Sequence, residues 1–364
     1  MKKSFRYRIY PNKKQEVKME RTLGTCRHTY NNALAERNEQ SKFNRLEKSF
    51  DVFPWGYPEY IDYDNQAGKL SATKTDFQKE VHSQVLQNVL KRVEKSFRNM
   101  SIGFGHPRFK GRNRYNSFTY PGSGFSLKDN KLSLSKIGLI PIILHRSIPP
   151  ETKIKTCTIK KDIDQWYVTF SCDIDIPIPT IEIKTTMGID VGLTDLLSLK
   201  NGENIKPPKF LRLSEKRLSR EQIKLSKKKP KSHNRNKQRV ILSKVHRKIR
   251  NQRKDFAHKT SRMLVDRFDL IAFEDLNING MLKNHNLSKS ISDASWYQLQ
   301  MFTTYKAEWA GKKVEQCNPS GTSQTCICGQ RVPKDLSVRI HNCPSCGLTT
   351  NRDQMSATII LDRC

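Results

Sequence analysis

The chain has 364 residues, with 67 Lys and Arg against 35 Asp and Glu, a formal net charge of +32. A surface that far from neutrality repels itself unless a polyanion covers it, which sets the chain apart from an ordinary metabolic enzyme and leaves nucleic acid or an anionic membrane as partners. At roughly 100 to 200 residues per domain the length predicts two or three cores, and a hydrophobic share of 35% predicts thin ones.

The membrane is the weaker of the two partners. The longest apolar run, Ile137 to Leu144, is eight residues interrupted by Gly138 and Pro141, whereas a spanning helix needs about 20. At the N-terminus Phe5, Tyr7 and Ile9 alternate with Arg6 and Arg8, which predicts a strand and no leader sequence. A cytoplasmic location is therefore expected. Of nine cysteines, Cys317, Cys326, Cys328, Cys343 and Cys346 fall within thirty residues, which in a reducing compartment suggests a metal before disulfides.

After the first strand, Pro11-Asn12 ends the pattern. Met19, Leu23, Cys26, Tyr30 and Ala33 then recur at helical spacing through about Glu39. Residues 40–75, with Pro54, Trp55, Gly56 and Pro58, read as an irregular link. A second helical pattern carries Val81, Val85, Val89, Val93 and Phe97. From Gly103 the chain turns to Gly, Pro and basic residues. Strand-like runs follow from Ser117 to Ile178, including Leu132–Leu134, Ile154–Ile159 and Trp166–Cys172, spaced as in a small β-barrel that the first strand would join.

A new signal begins at Met187-Gly188-Ile189-Asp190-Val191-Gly192, an apolar strand with one carboxylate, and continues through Leu196–Leu199 to an Asn-Gly hairpin turn at Lys200–Glu203. Residues 206–262 hold 22 Lys and Arg against three acids and read as a helical hairpin broken near Pro230. Leu270–Glu274 is another buried strand ending in a carboxylate, and Lys313–Gln316 reads as a third.

Three carboxylates stand out: Asp190, Glu274 and Asp353. Phosphodiester hydrolysis with two Mg²⁺ ions about 3.5 to 4 Å apart needs hard oxygen ligands converging from separate elements. Position alone favours strand-end acids that face water or cap the next helix. The order tips the balance: strand with Asp, hairpin, strand with Glu, then Asn351-Arg352-Asp353 opening a C-terminal helix. That order suits an RNase H-like nuclease core with the helix N-terminus near the ions.

Cys326-Ile327-Cys328-Gly329 and Cys343-Pro344-Ser345-Cys346-Gly347, with fourteen residues between Cys328 and Cys343, fit a four-thiolate zinc ribbon. The first pair is one residue short of the usual spacing, which would strain the knuckle and leaves Cys317 or His341 as replacement ligands. The basic hairpin, with Lys244, Arg247 and Arg250, reads as a groove that tracks a phosphate backbone. Arg112-Asn113-Arg114-Tyr115-Asn116-Ser117-Phe118-Thr119-Tyr120 interleaves cations, amides and aromatics that could stack bases or reach groove edges, or that merely lead a loop into a strand.

Together these segments resemble the TnpB (OrfB) family of insertion-sequence proteins, relatives of the compact type V CRISPR nucleases. The resemblance runs over essentially the whole chain: Phe5–Pro11 with Arg27–Asn31, Gly105–Lys110, Gly188–Gly192, Glu274–Asn277, Thr322–Cys326, Cys343–Gly347 and Arg352-Asp353. It implies a multidomain α+β protein. A wedge β-barrel (1–10 and 103–182) would carry a helical recognition insertion (11–102), and a RuvC-type nuclease (183–316 and 348–364) would be interrupted by a zinc ribbon (317–347).

It further implies Mg²⁺ or Mn²⁺ on Asp190, Glu274 and Asp353, and Zn²⁺ on Cys326, Cys328, Cys343 and Cys346. The implied partners are a guide RNA from the element's end and a double-stranded DNA target bearing a short adjacent motif, with the protein a monomer carrying its RNA. By the same analogy Gln87, Arg112, Arg114, Asn116 and Ser117 would face nucleic acid.

The family usually reads Asp-Arg-Asp-x-Asn-Ala-Ala where this chain has Asn351-Arg352-Asp353-Gln354-Met355-Ser356-Ala357. Met355 in place of Asn is expected to remove polar support from the metal carboxylates, at about 10- to 100-fold in affinity or activity. The expected enzyme is active but slow. The competing readings are a nuclease-silent guided repressor, a strand-transferring transposase that needs no guide, and a basic RNA-binding structural protein.

Overall fold

The computed structural model of the chain describes residues 2–49, 60–150, 152–174, 177–335 and 338–364. They form two compact units, Met1–Ile176 and Pro177–Cys364. The first opens with β1 (Lys2–Ile9), whose alternation buries Phe5, Tyr7 and Ile9. Helices α1 (Lys13–Ser49), α2 (Tyr63–Ala72), α3 (Asp76–Lys79) and α4 (Ser83–Ser101) come next. They precede β2 (Ser117–Pro121), β3 (Phe125–Lys128), β4 (Lys131–Leu134), β5 (Gly138–Ile143), β6 (Lys153–Asp162) and β7 (Gln165–Asp173).

These strands make one antiparallel sheet in the order β2-β6-β7-β1-β5-β4-β3, so the first strand sits at its centre. The sheet curls on itself. The Phe125 ring of β3 lies 6.5 Å from the Phe170 ring of β7, and the Tyr120 hydroxyl of β2 donates to the Ser135 carbonyl beyond β4 at 3.0 Å. Among the described residues no ladder joins β2 to β3, so the expected barrel is nearly closed rather than closed.

The helical insertion packs Met19, Leu23, Cys26, Tyr30 and Leu34 of α1 and Val85, Leu86, Val89 and Val93 of α4 into the same core. Here α1 runs ten residues past the expected end at Glu39, and α2 occupies part of the expected irregular link. Beyond Glu39 the helix is polar all round, with Phe43 and Leu46 exposed, so no apolar stripe announces it. Pro54, Trp55, Gly56 and Pro58 lie outside the described residues.

In the second unit β8 (Thr186–Val191), β9 (Leu197–Leu199) and β10 (Asn204–Ile205) form a meander whose last turn holds Gly202 at φ +85°. Helices α5 (Phe210–Ser226) and α6 (His233–Arg267) flank Pro230, and β11 (Leu270–Glu274) follows. Then come α7 (Ile278–Met281), α8 (His285–Ala294), α9 (Trp296–Trp309), β12 (Lys313–Cys317), a 3-10 turn (Thr322–Gln324), β13 (Ile340–Asn342), β14 (Thr349–Asn351) and α10 (Arg352–Asp362).

The sheet order is β10-β9-β8-β11-β12, with β11 parallel to both β8 and β12 and β9 antiparallel to β8. Helices α7, α8 and α9 between β11 and β12 have no counterpart among the elements expected from sequence. In α9 the buried set mixes Gln300 and Thr303 with Trp296, Leu299, Phe302 and Ala307, which blurs the periodicity. Among the described residues no helix is long and apolar enough to cross a membrane.

Candidate active site

Parallel pairing of β8 and β11 matches Gly188 with Ala272 and Ile189 with Phe273, which brings Asp190 and Glu274 level at the carboxyl ends of neighbouring strands. Gly188 shares a sheet face with Asp190 because strand side chains alternate. That face is covered by α10. A Cβ on Gly188 would stand 1.9 Å from the Ala357 carbonyl oxygen, so the helix lies directly on the strand where there is no side chain. Asp353 is four residues before Ala357, on the same helical face, and so reaches the same place.

The polar partners differ for each carboxylate. Glu274 is 7% exposed and accepts a hydrogen bond at Oε1 from the Thr322 hydroxyl. Ser356 is the hydroxyl that favours the charged form of Asp190. Asp353 follows the N-cap Asn351, whose Oδ1 accepts the Asp353 amide at 2.8 Å. Arg352 Nε donates to Asp353 Oδ1 at 3.0 Å, and Arg339 approaches Oδ2 at 3.5 Å.

Burial, then the charges of Glu274 and Asp353, push the Asp190 carboxyl up to about 8, against the opposing pull of Arg352 and the Ser356 hydroxyl. Glu274 is raised by burial, offset in part by Thr322 and Arg363. Two buried acids whose charged forms are disfavoured, Asp190 and Glu274, with the Asp353 carboxyl beside them, are the donor set a divalent cation would relieve. Among the described residues they do not form a closed ligand shell, since the four thiols described next are the one group whose ligand atoms all lie within 4.8 Å of one another.

The thiols of Cys326, Cys328, Cys343 and Cys346 make that shell. Sγ of Cys326 lies 3.6 Å from that of Cys346, and Cys328 stands at the same distance from Cys343. A tetrahedron with Zn–S bonds of about 2.3 Å has edges of about 3.8 Å, so the spacing fits zinc. Gly329 and Gly347, at φ +84° and +71°, supply the left-handed turns behind each pair. Amides of Cys346 and Ser345 point at the Cys343 sulfur and hold that thiol down to about 6, whereas burial pushes Cys326 up to about 12.

The shortened pair thus contributes both of its thiols, and neither expected replacement is used. Cys317 is buried at the end of β12, and His341 Nδ1 is engaged by Lys334.

In the first unit Arg112, Arg114 and Asn116 are exposed in the loop before β2, and Gln87 is half-buried on α4. Ser117 is taken up structurally: Arg92 donates to its carbonyl at 2.8 Å. The aromatics of that stretch are not stacking platforms, because Tyr115, Phe118 and Tyr120 are buried in the core. In the second unit Lys244 and Arg250 are exposed on α6, with Arg247 half-buried.

Sequence reasoning missed Thr322, Ser356, Arg339 and Arg352. Thr322, Arg352 and Ser356 lay inside segments already singled out, but a hydroxyl or guanidinium gives no sign in sequence of which carboxylate it will meet. Met355 is buried, and two helical positions turn it about 200° from Asp353. The hydroxyl on the carboxylate side is that of the next residue, Ser356, which favours the charged form of Asp190.

Residues 169–285 match a family model described as "Probable transposase", residues 296–360 one described as "Cas12f1-like, TNB domain", and residues 1–45 one described as "Helix-turn-helix domain". In this chain the last stretch is β1 followed by the continuous α1. A Streptomyces pristinaespiralis protein named "Putative RNA-guided DNA endonuclease" is 32% identical, covering 99% of this chain and 89% of its own. An Escherichia coli K12 protein of the same name with the addition InsQ is 29% identical, covering 98% and 91%. The solved structure described as "Cryo-EM structure of the Cas12f1-sgRNA-target DNA complex" superposes with a TM-score of 0.60 at 12% identity over 99% of this chain and 98% of that one, a likeness of fold.

Proposed function

Because the chain belongs to the TnpB (OrfB) family, we propose that it is a transposon-encoded, RNA-guided DNA endonuclease. It would hydrolyse target DNA after a guide RNA from the insertion-sequence end pairs with one strand and a short adjacent motif is read. The observation that carries the chemistry is the arrival of Asp190, Glu274 and Asp353 at one place from two parallel strands and a helix. The strand order β10-β9-β8-β11-β12 supports an RNase H-like, RuvC-type core at 183–316 and 348–364. The ribbon is then 317–347, the wedge 1–10 with 103–182, and the recognition insertion 11–102.

The three carboxylates would hold Mg²⁺ or Mn²⁺, which when bound supplies Lewis acidity and a water nucleophilic near neutral pH. Thr322 fixes Glu274 Oε1 by a hydrogen bond, so that Oε2 is presented in a set direction, and the Ser356 hydroxyl favours the charged form of Asp190. Arg352 and Arg339 hold positive charge beside Asp353, where an incoming phosphodiester brings negative charge. A charge of +32 suits a monomer wrapped around a guide RNA and two DNA strands, with base pairing reading sequence and the protein tracking backbone.

The test is coexpression with flanking genomic DNA, sequencing of the copurifying RNA, and cleavage of a matching duplex in Mg²⁺ beside folded Asp190→Ala. A defined RNA with cutting that depends on Asp190 is expected. Cutting that survives Asp190→Ala, or its absence with the correct guide, would refute the proposal.

A further inference from the structure

The geometry points to Thr322 as a positioning residue for Glu274, through which the thiolate ribbon sets the carboxylate site; this inference rests on the nuclease reading above. Glu274 ends β11, where the strand fixes its backbone but not the last torsions of its side chain. The Thr322 hydroxyl, on a residue 3% exposed, donates to Oε1 and leaves Oε2 free of that bond. A buried carboxylate held by one oxygen presents the other in a single direction, which is what a metal ligand needs.

Thr322 is itself held from two sides. Upstream, Arg363 at the end of α10 donates to the carbonyls of Asn318 and Ser320 at 3.0 and 2.7 Å, gripping the loop that leaves β12. Gly321, at φ +73°, then turns the chain into the 3-10 turn. Downstream, the Ser323 carbonyl accepts from Lys334 Nζ at 2.9 Å and the Gln324 carbonyl accepts from the Val332 amide at 2.7 Å.

Lys334 and Val332 lie between the two thiol pairs, and Cys326 follows Thr322 by four residues. Among the described residues the segment between the pairs has little core of its own: Val332 within it, and Leu348 just after the second pair, pack with the buried Cys326 and Cys343. Zinc on the four thiols would therefore order the segment that holds the turn, and the turn delivers the hydroxyl to Glu274.

The test uses the full chain with its guide RNA. Single-turnover cleavage is followed across a Mg²⁺ titration, and Mn²⁺ binding is measured by calorimetry without DNA. Thr322→Val is expected to raise the Mg²⁺ needed for half-maximal cutting, and to weaken Mn²⁺ binding, by about 10- to 100-fold. The plateau rate at saturating Mg²⁺ should be largely kept, and Thr322→Ser should restore wild-type values.

Removing zinc should shift the wild type in the same direction yet add little to Thr322→Val, since both act through one hydrogen bond. Lys334→Met, which loosens the turn from the ribbon side, should shift it likewise. Unchanged Mg²⁺ and Mn²⁺ dependence in Thr322→Val, while Glu274→Gln abolishes both, overturns the inference and leaves the nuclease reading standing. Normal cutting by Glu274→Gln overturns both.

Discussion

Gly188→Ala tests whether the carboxylate site depends on α10 lying directly on β8. The new Cβ would sit 1.9 Å from the Ala357 carbonyl oxygen and 2.9 Å from the Leu361 Cβ, where contacts below 3.0 Å essentially do not occur. The helix must therefore move at least 1.1 Å, the difference between 3.0 and 1.9 Å, at the turn next to Ser356 and one turn from Asp353. Overpacking of this kind costs about 1–3 kcal/mol, and misplacing a reacting group by about 1 Å costs about 100-fold in rate.

Single-turnover cleavage of a guide-matched duplex, with guide binding and thermal midpoint recorded in parallel, should show a rate about 100-fold lower with guide binding kept. Gly68→Ala in α2 is the control. A Cβ there meets nothing within 4 Å, and replacing a helical glycine stabilises by about 0.5–1 kcal/mol. A folded Gly188→Ala that cuts within about threefold of the wild type would refute the packing argument, because a 1 Å displacement cannot be that cheap.

The purified chain should carry one zinc by atomic absorption, and Cys343→Ala should lose it together with the protease resistance of residues 326–346; retained metal would contradict the four-thiol site. The raised Asp190 carboxyl gives a pH signature. Without added Mg²⁺ the folded state keeps a proton up to about pH 8 that the unfolded chain gives up near 4, so stability should fall as pH rises through that interval. Thermal midpoints should show the decline, Asp190→Asn should flatten it, and an unaltered profile in that variant would show that Asp190 is not its source. On α6, Lys244→Ala, Arg247→Ala and Arg250→Ala combined should weaken nucleic-acid binding and lower the salt slope by up to about 2–3; an unchanged slope would remove these residues from the phosphate-tracking face.

What sequence could reveal here was whatever had a period or a spacing. The strand at Met187–Val191 and the one at Leu270–Glu274 are short apolar runs ending near a carboxylate, and both appear as neighbours in the sheet. The Cys pairs, with a Gly behind each, pointed to the thiol cluster, while the short first pair left Cys317 and His341 open as ligands until the structure brought the four thiols together. What stayed hidden lacked such a signal. The part of α1 beyond Glu39 has no apolar stripe, and α9 buries Gln300 and Thr303 among its apolar residues. Tyr115, Phe118 and Tyr120 beside Arg112 and Arg114 resemble a stacking surface in one dimension, and only the sheet turns the rings inward. Hydroxyl partners such as Thr322 and Ser356 depend on contacts made across 48 and 166 residues of chain, which no local pattern encodes.

The two departures from the family pattern then take on a different weight. A decaying nuclease would be expected to lose charged ligands and their partners together, since neither is retained once the metal is gone. In this chain the departures are local and compensated. Met355 is accommodated as a buried apolar side chain about 200° around the helix from Asp353, while Ser356, on the face that meets Asp190, carries a hydroxyl where the family pattern has alanine. The shortened Cys pair still delivers two thiols to a shell closed within 4.8 Å. Each change thus leaves in place the oxygen or sulfur donors that a cation would use. It follows that Ser356→Ala, rather than Met355→Asn, is the substitution that should weaken metal binding, by about tenfold in the Mn²⁺ affinity of the guide-bound protein. The opposite ranking of the two variants would place the polar support of the site at position 355 after all.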